Sequence, residues 1–169
     1  MRVNFLEELV AEWYEYEGYF VRRNVLVGKG PKGGHEGELD VVAFHPKTKH
    51  LVHIEPSYDS HSWESREDSY TKKFAAGRKY IPGMFSEILP DAAPDQIEQI
   101  ALIAYIGKDR PFAGGTAKSL RAFLKEIVGK LSQLTTTEVP QQFALLRALS
   151  YAVEYRKELF KERPKPPES

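Results

Sequence analysis

The amino-acid sequence predicts an α/β fold, and three observations carry that prediction. Phe5, Leu6, Leu9, Val10 and Trp13 recur at three- and four-residue spacings, the period of an amphipathic helix. Two runs rich in Val, Ile, Leu and Phe, Glu38 to Phe44 and Leu51 to Pro56, flank a Pro/Lys/Thr segment and read as a β-hairpin. A second helical stretch then precedes Ile97 to Ile106, whose Ile, Leu, Ala and Tyr content marks a buried strand. With a further strand before the hairpin, the order is helix, three strands, helix, strand.

The chain has 169 residues, enough for one domain to bury roughly two thirds of the surface its unfolded form exposes. We expect a single domain over residues 1–162 and a flexible, Pro-rich tail over 163–169. The absence of cysteine excludes disulfides, thiolate metal sites and a Cys nucleophile. No apolar run approaches membrane-spanning length and the first residues lack a signal-peptide core, so a soluble, cytoplasmic protein is expected, without a membrane partner. Lys and Arg number 24 and Asp and Glu 24. Any nucleic-acid surface is therefore local, not a global basic excess.

Asn4 is placed to cap the first helix, which runs from Val3 to about Glu17 and carries Glu7, Glu8, Glu12 and Glu15 on its polar face. Gly18 ends it, and Tyr19 to Val27 is the first strand. The loop that follows contains Gly28, Gly30 and Gly33 in a GxGxxG spacing, yet a strand follows where a dinucleotide site needs a helix. No Gly-Lys-Ser/Thr closes the loop, which excludes a Walker A motif. Lys29 and Lys32 in this loop are candidates for phosphodiester-backbone contact.

In the hairpin, strand alternation puts Glu38, Asp40, Val42 and Phe44 on one face, and His53, Glu55 and Ser57 together on the next strand. A turn centred on Lys47 and Thr48 pairs Phe44 with Leu51, Val42 with His53 and Asp40 with Glu55. Two carboxylates then lie about 5 Å apart between Cβ atoms, an arrangement that calls for a cation between them. His50 and His53 fall on opposite faces, which disfavours zinc. No Gly-x-Ser-x-Gly elbow supports a nucleophilic Ser at 57, 60 or 62. Ser60 or Ser62 caps a helix from Trp63 to about Tyr80, whose inner stripe is Trp63, Tyr70, Phe74 and Gly77, with Arg66 and Lys73 on or beside it. Pro82, Pro90 and Pro94 mark an irregular connection. Thr116 is expected to cap a helix through Leu131, and Pro140 to open a last helix to about Phe160.

This order of elements, with Asp40 inside Gly-Glu-Leu-Asp and Glu55 inside His-Ile-Glu-Pro-Ser, resembles the core of the PD-(D/E)XK nuclease superfamily over roughly residues 4 to 106. The resemblance implies a restriction-endonuclease-like core, with a central mixed sheet of about four strands flanked by helices and additional C-terminal helices. It implies Mg2+, with Mn2+ as a substitute, bound by Asp40, Glu55 and the Pro56 carbonyl. The family's Glu-x-Lys triplet is here Glu55-Pro56-Ser57, so Ser57 stands at the lysine position. The family also lets its basic residue migrate to the following helix, which points to Lys73 and then Lys72. The first helix is similar to that of restriction-endonuclease-like and junction-resolvase-like members, in which a Glu precedes the Gly by about eleven positions. That spacing selects Glu7, with Glu8 as the alternative. Glu38 and His53 join Ser57, Lys72 and Glu8 as neighbours of the site, and Arg66 joins Lys29 and Lys32 as a nucleic-acid contact.

The expected function is a Mg2+-dependent endonuclease acting on DNA, with a homodimer as the natural form if both strands are cut. The alternative is a catalytically inactive module of the nuclease fold that binds nucleic acid or serves assembly, a reading favoured by the displaced lysine and the neutral charge.

Overall fold

A computed structural model describes residues 4–31, 33–58 and 62–160. The chain forms two compact units, residues 1–124 and 125–169. The first is an α/β unit built on a six-stranded mixed sheet in the order β1-β2-β3-β4-β6-β5. Among the described residues no helix is long and apolar enough to cross a membrane.

Helix α1 (Phe5–Tyr16) starts at Asn4, whose side chain accepts a hydrogen bond from the Leu6 N–H at 3.1 Å. It buries Leu6, Leu9, Val10 and Trp13, the stripe its spacing predicts. Gly18 then takes φ 93°, a left-handed conformation that ends the helix without steric cost. Strands β1 (Phe20–Lys29), β2 (His35–Phe44) and β3 (Leu51–Ser57) form an antiparallel meander. Val42 pairs with His53, Ala43 with Val52 and Phe44 with Leu51, as the hairpin register predicts. The turn keeps that register because the Lys49 N–H bonds the His45 carbonyl and Lys49 adopts φ 60°.

Helix α2 (Trp63–Met84) is capped by Ser62, whose hydroxyl accepts from the Ser65 N–H at 3.3 Å. Ser60 lies outside the described residues. The helix buries Tyr70, Phe74, Gly77 and Ile81, whereas Trp63, at its first position, stays 37 % exposed and packs edge-on against Phe112. It runs past Pro82, which therefore sits inside the helix instead of opening the irregular connection. β4 (Ile97–Ile103) lies parallel to β3, as a crossover helix requires.

The sheet has six strands where about four were expected. β5 (Arg110–Phe112) and β6 (Gly115–Ser119) are too short and too polar to show alternation. Phe112 pairs with Gly115 across a two-residue turn in which Ala113 and Gly114 both have positive φ, the geometry that matches strand twist. Thr116 is therefore a strand residue beside Ile100 and Pro111, not a helix cap. Helix α3 (Leu120–Leu131) begins after Ser119, whose hydroxyl accepts from the Ala122 N–H at 3.1 Å.

In the second unit the expected single helix from Pro140 is two, α4 (Ala144–Glu154) and α5 (Arg156–Leu159). The Phe143 N–H bonds the Pro140 carbonyl in a turn before α4, and Tyr155 breaks the run between the two. The tail at 163–169 lies outside the described residues.

Candidate active site

Asp40 is where the sheet's hydrogen bonding opens. The β2–β3 ladder runs only to Val41–Ile54, and the β1–β2 ladder skips the Asn24–Asp40 pair. Asn24 takes φ 51°, a conformation that Asn tolerates better than most residues. Freed from the ladder, the Asp40 N–H donates to Glu55 Oε1 at 3.2 Å. Consecutive residues of a strand present their carbonyls to opposite edges, and the Ser57 carbonyl accepts from Ala104 on the β4 side. The Pro56 carbonyl accordingly faces the β2 side, beyond the last β2–β3 pair. Proline fits here because no ladder partner requires its missing N–H.

Lys73 reaches Asp40 from α2. Its ammonium donates to Asp40 Oδ2 at 3.2 Å and to Glu55 Oε2, so one cation bridges both carboxylates. Glu55 is fully buried and its other oxygen lies 2.7 Å from His53 Nε2. His53 is also fully buried, and Gln99 and the Phe74 backbone close its far side. The Tyr70 hydroxyl donates to the Glu55 backbone carbonyl at 3.3 Å. The acidic face opens into a cleft of about 320 Å3 lined by Glu36, Gly37, Glu38, Asp40, Lys72, Lys73 and Ala76.

The electrostatics of the pair are asymmetric. Burial, reinforced by the hydrogen bond and negative charge of Glu55, pushes Asp40 up to about 8 against the pull of Lys73. Burial also acts to raise Glu55, but hydrogen bonds from His53 and Asp40 and the charge of Lys73 outweigh it and hold Glu55 at about 2. Lys73 loses some basicity to burial and regains more from the charges of Glu55 and Asp40, so its pKa is raised and it is an ammonium at any physiological pH.

A carboxyl whose folded pKa lies above its ordinary 3.8 favours folding most below that value, and the contribution is lost as pH rises through about 8. Asp40→Asn removes this penalty while leaving Lys73 paired with Glu55. We expect the metal-free variant to be more stable than the wild type by about 1–3 kcal/mol at pH 8.5, with a smaller gain at pH 5. Thermal unfolding at the two pH values checks this, and an equal or lower Tm at pH 8.5 contradicts it.

The remaining candidates are placed unequally. Glu7 is half-buried; burial raises its pKa, a hydrogen bond from Asn4 and the charge of Lys73 lower it, and Glu38 and Glu55 lie within electrostatic reach. Glu8 turns instead to Arg23, at 3.5 Å. Glu38 and Lys72 are exposed on the cleft wall, and Ser57 is half-buried. Lys29 is exposed at the end of β1, and Lys32 lies outside the described residues. Arg66 is only 6 % exposed, with its guanidinium over the Trp63 ring, so it presents no free cation to a phosphate backbone. His50 bonds the Tyr19 hydroxyl and Glu98, away from His53.

Gln99 and Arg78 support the site without standing among the sequence candidates, and Tyr70 and Gly77, on the predicted inner stripe of α2, also touch it. The one legible signal was Gln99, an amide within the apolar run of β4.

Among the described residues no group of three or more His, Cys, Asp or Glu side chains converges as a metal cage. Asp40 lines the cleft and the Glu55 carboxylate, buried behind it, meets it at the Lys73 ammonium; two carboxylates that share one cation nonetheless fit Mg2+, which takes one or two carboxylates and keeps several waters. That an ammonium bridges both carboxylates shows that the pair can share a cation. Compared with known proteins, the chain matches no family model and no curated protein.

Proposed function

We propose that the chain is a Mg2+-dependent nuclease of the PD-(D/E)XK type that hydrolyses phosphodiester bonds, with DNA as substrate. The observation that carries the reading is the convergence of Asp40, Glu55 and Lys73 from β2, β3 and α2 on one point at the head of an open cleft. Lys73 lies 18 residues after Glu55 in sequence, yet its ammonium reaches the carboxylate that a triplet lysine would accompany. The order of α1, β1 to β3, α2 and β4 supports the same reading.

Asp40, Glu55 and the Pro56 carbonyl would hold Mg2+, which supplies charge stabilisation at the phosphate and acidifies water. His53 and the Asp40 N–H hold the Glu55 carboxylate in place. Lys73, raised in pKa, acts as a fixed positive charge: it donates a hydrogen bond to the attacking water or to a phosphate oxygen and does not accept a proton. Its half-exposed side chain leaves room for the ammonium to move off the carboxylates as a divalent cation and substrate enter. Glu7, on the first helix, is the group available to orient a water.

A second reading is favoured by the same ion bridge. Lys73 already neutralises part of the buried acid pair, and Ser57 stands where the triplet lysine is expected, as in a nuclease-fold module that binds without cutting. Incubating the wild-type protein with duplex, single-stranded and branched DNA in Mg2+, Mn2+ or EDTA separates the two. The nuclease reading predicts divalent-dependent cleavage of at least one substrate. Binding without cleavage in every condition, unchanged in Asp40→Ala and Glu55→Ala, establishes the module instead.

A further inference from the structure

Gln99 is 4 % exposed and all of its polar atoms are engaged. Its Oε1 accepts from the Arg78 guanidinium. Its Nε2 donates to the Phe74 carbonyl at 2.9 Å and lies 3.1 Å from His53 Nδ1. A guanidinium can only donate and a backbone carbonyl can only accept, so these two neighbours fix which end of the amide is which. Flipping it would set NH2 against guanidinium and carbonyl against carbonyl. The amide has two hydrogens; Phe74 takes one, and the other faces His53 Nδ1. That nitrogen must be the bare acceptor, and Nε2 carries the proton donated to Glu55 Oε1.

We propose that Gln99 is a positioning residue: clamped by Arg78 and Phe74, it holds the His53 ring as the Nε2–H tautomer and thereby turns the second oxygen of Glu55 toward the cation position. This rests on the reading of Asp40 and Glu55 as a divalent-cation site. The other tautomer would aim a lone pair at the Glu55 carboxylate and rotate it away. The packing agrees, because Gly77 brings α2 so close that a Cβ there would lie 2.4 Å from His53 Nδ1 and 2.8 Å from Gln99 Nε2. The backbone of α2 therefore packs directly on the Nδ1 edge of the ring.

Glu55 itself also favours Nε2–H, so the test removes it. Two-bond 1H–15N spectra of the His side chains at mildly alkaline pH are compared in Glu55→Ala and in Glu55→Ala/Gln99→Met. The single variant keeps a bare Nδ1 at His53, and the double variant shows mixed tautomers. In parallel, Gln99→Met alone weakens Mn2+ binding, read by electron paramagnetic resonance, by about 10-fold. Should Gln99→Met fail to fold, Arg78→Met, which frees the amide to flip, takes its place in both measurements. An identical tautomer with and without Gln99, or unchanged Mn2+ affinity in Gln99→Met, overturns the proposal. Absence of Mn2+ binding by the wild type overturns the cation reading, while the tautomer comparison still decides the Gln99 lock.

Discussion

Lys73→Met is expected to lower the rate of DNA cleavage by about 100- to 1000-fold, the scale of losing one preorganised transition-state donor, while Mn2+ binding stays at or above the wild-type level. The two effects have opposite signs because the ammonium does two things. In the absence of a divalent cation it occupies the point shared by Asp40 and Glu55, so binding must displace it. Among the described residues it is the only side-chain cation bonded to both acids, so once displaced it is the charge at hand for the reacting phosphate, and Met of similar length cannot replace that charge. Lys72, exposed on the cleft wall, serves as the control: Lys72→Ala changes cleavage by less than about tenfold. Because Ser57 shares a strand face with Glu55, the Lys73→Met/Ser57→Lys double variant should recover part of the lost rate. Normal turnover in Lys73→Met, or loss of Mn2+ binding with it, contradicts the role assigned to this residue.

Gly77→Ala carries the second large effect, and helix propensity gets its sign wrong. In an exposed helix, Ala would be favoured over Gly by about 1 kcal/mol. Here the added carbon falls 2.4 Å from a nitrogen of the buried His53 ring, closer than any Cβ contact can be. Either α2 lifts from the sheet or His53 and Gln99 shift, and both residues are held against Phe74 of that same helix. Overpacking of this kind costs about 1–3 kcal/mol beyond the propensity gain. Chemical denaturation should show a net loss of stability, and the folded fraction should bind Mn2+ more weakly because His53 no longer seats Glu55. A variant as stable as the wild type contradicts the close packing of α2 on β3 and β4.

The hairpin was legible because its information is local. Alternation fixes the faces, the Pro/Lys/Thr segment fixes the turn, and together they place Asp40 beside Glu55. Lys73 could be named but not positioned, because its reach depends on how far α2 stands from the sheet. That distance is set by Gly77, which reads in sequence as one more small residue on an apolar stripe. Gln99 stayed hidden for a related reason: a single amide in a buried strand gains meaning only when Arg78, Phe74 and His53 converge on it from other elements. β5 and β6 escaped because a three-residue strand and a polar five-residue strand carry too few side chains to show a period, so Thr116 read as a cap. Arg66 borders the apolar stripe of α2, where a basic residue most often packs its stem, and its guanidinium lies over Trp63.

Cleavage of one end-labelled DNA substrate, followed as Mg2+ is titrated into metal-free wild-type protein and into Glu55→Gln, decides whether the Asp40–Glu55 pair is a catalytic cation site. Gln preserves the size of the buried side chain while removing its charge and turning one of its two acceptor oxygens into a donor. The expected rate rises with Mg2+ in the wild type, is abolished by chelation, and falls by about 1000-fold or more in the variant at saturating DNA. Cleavage by Glu55→Gln at the wild-type rate, or wild-type cleavage that persists in chelator, would contradict a catalytic cation site at that pair.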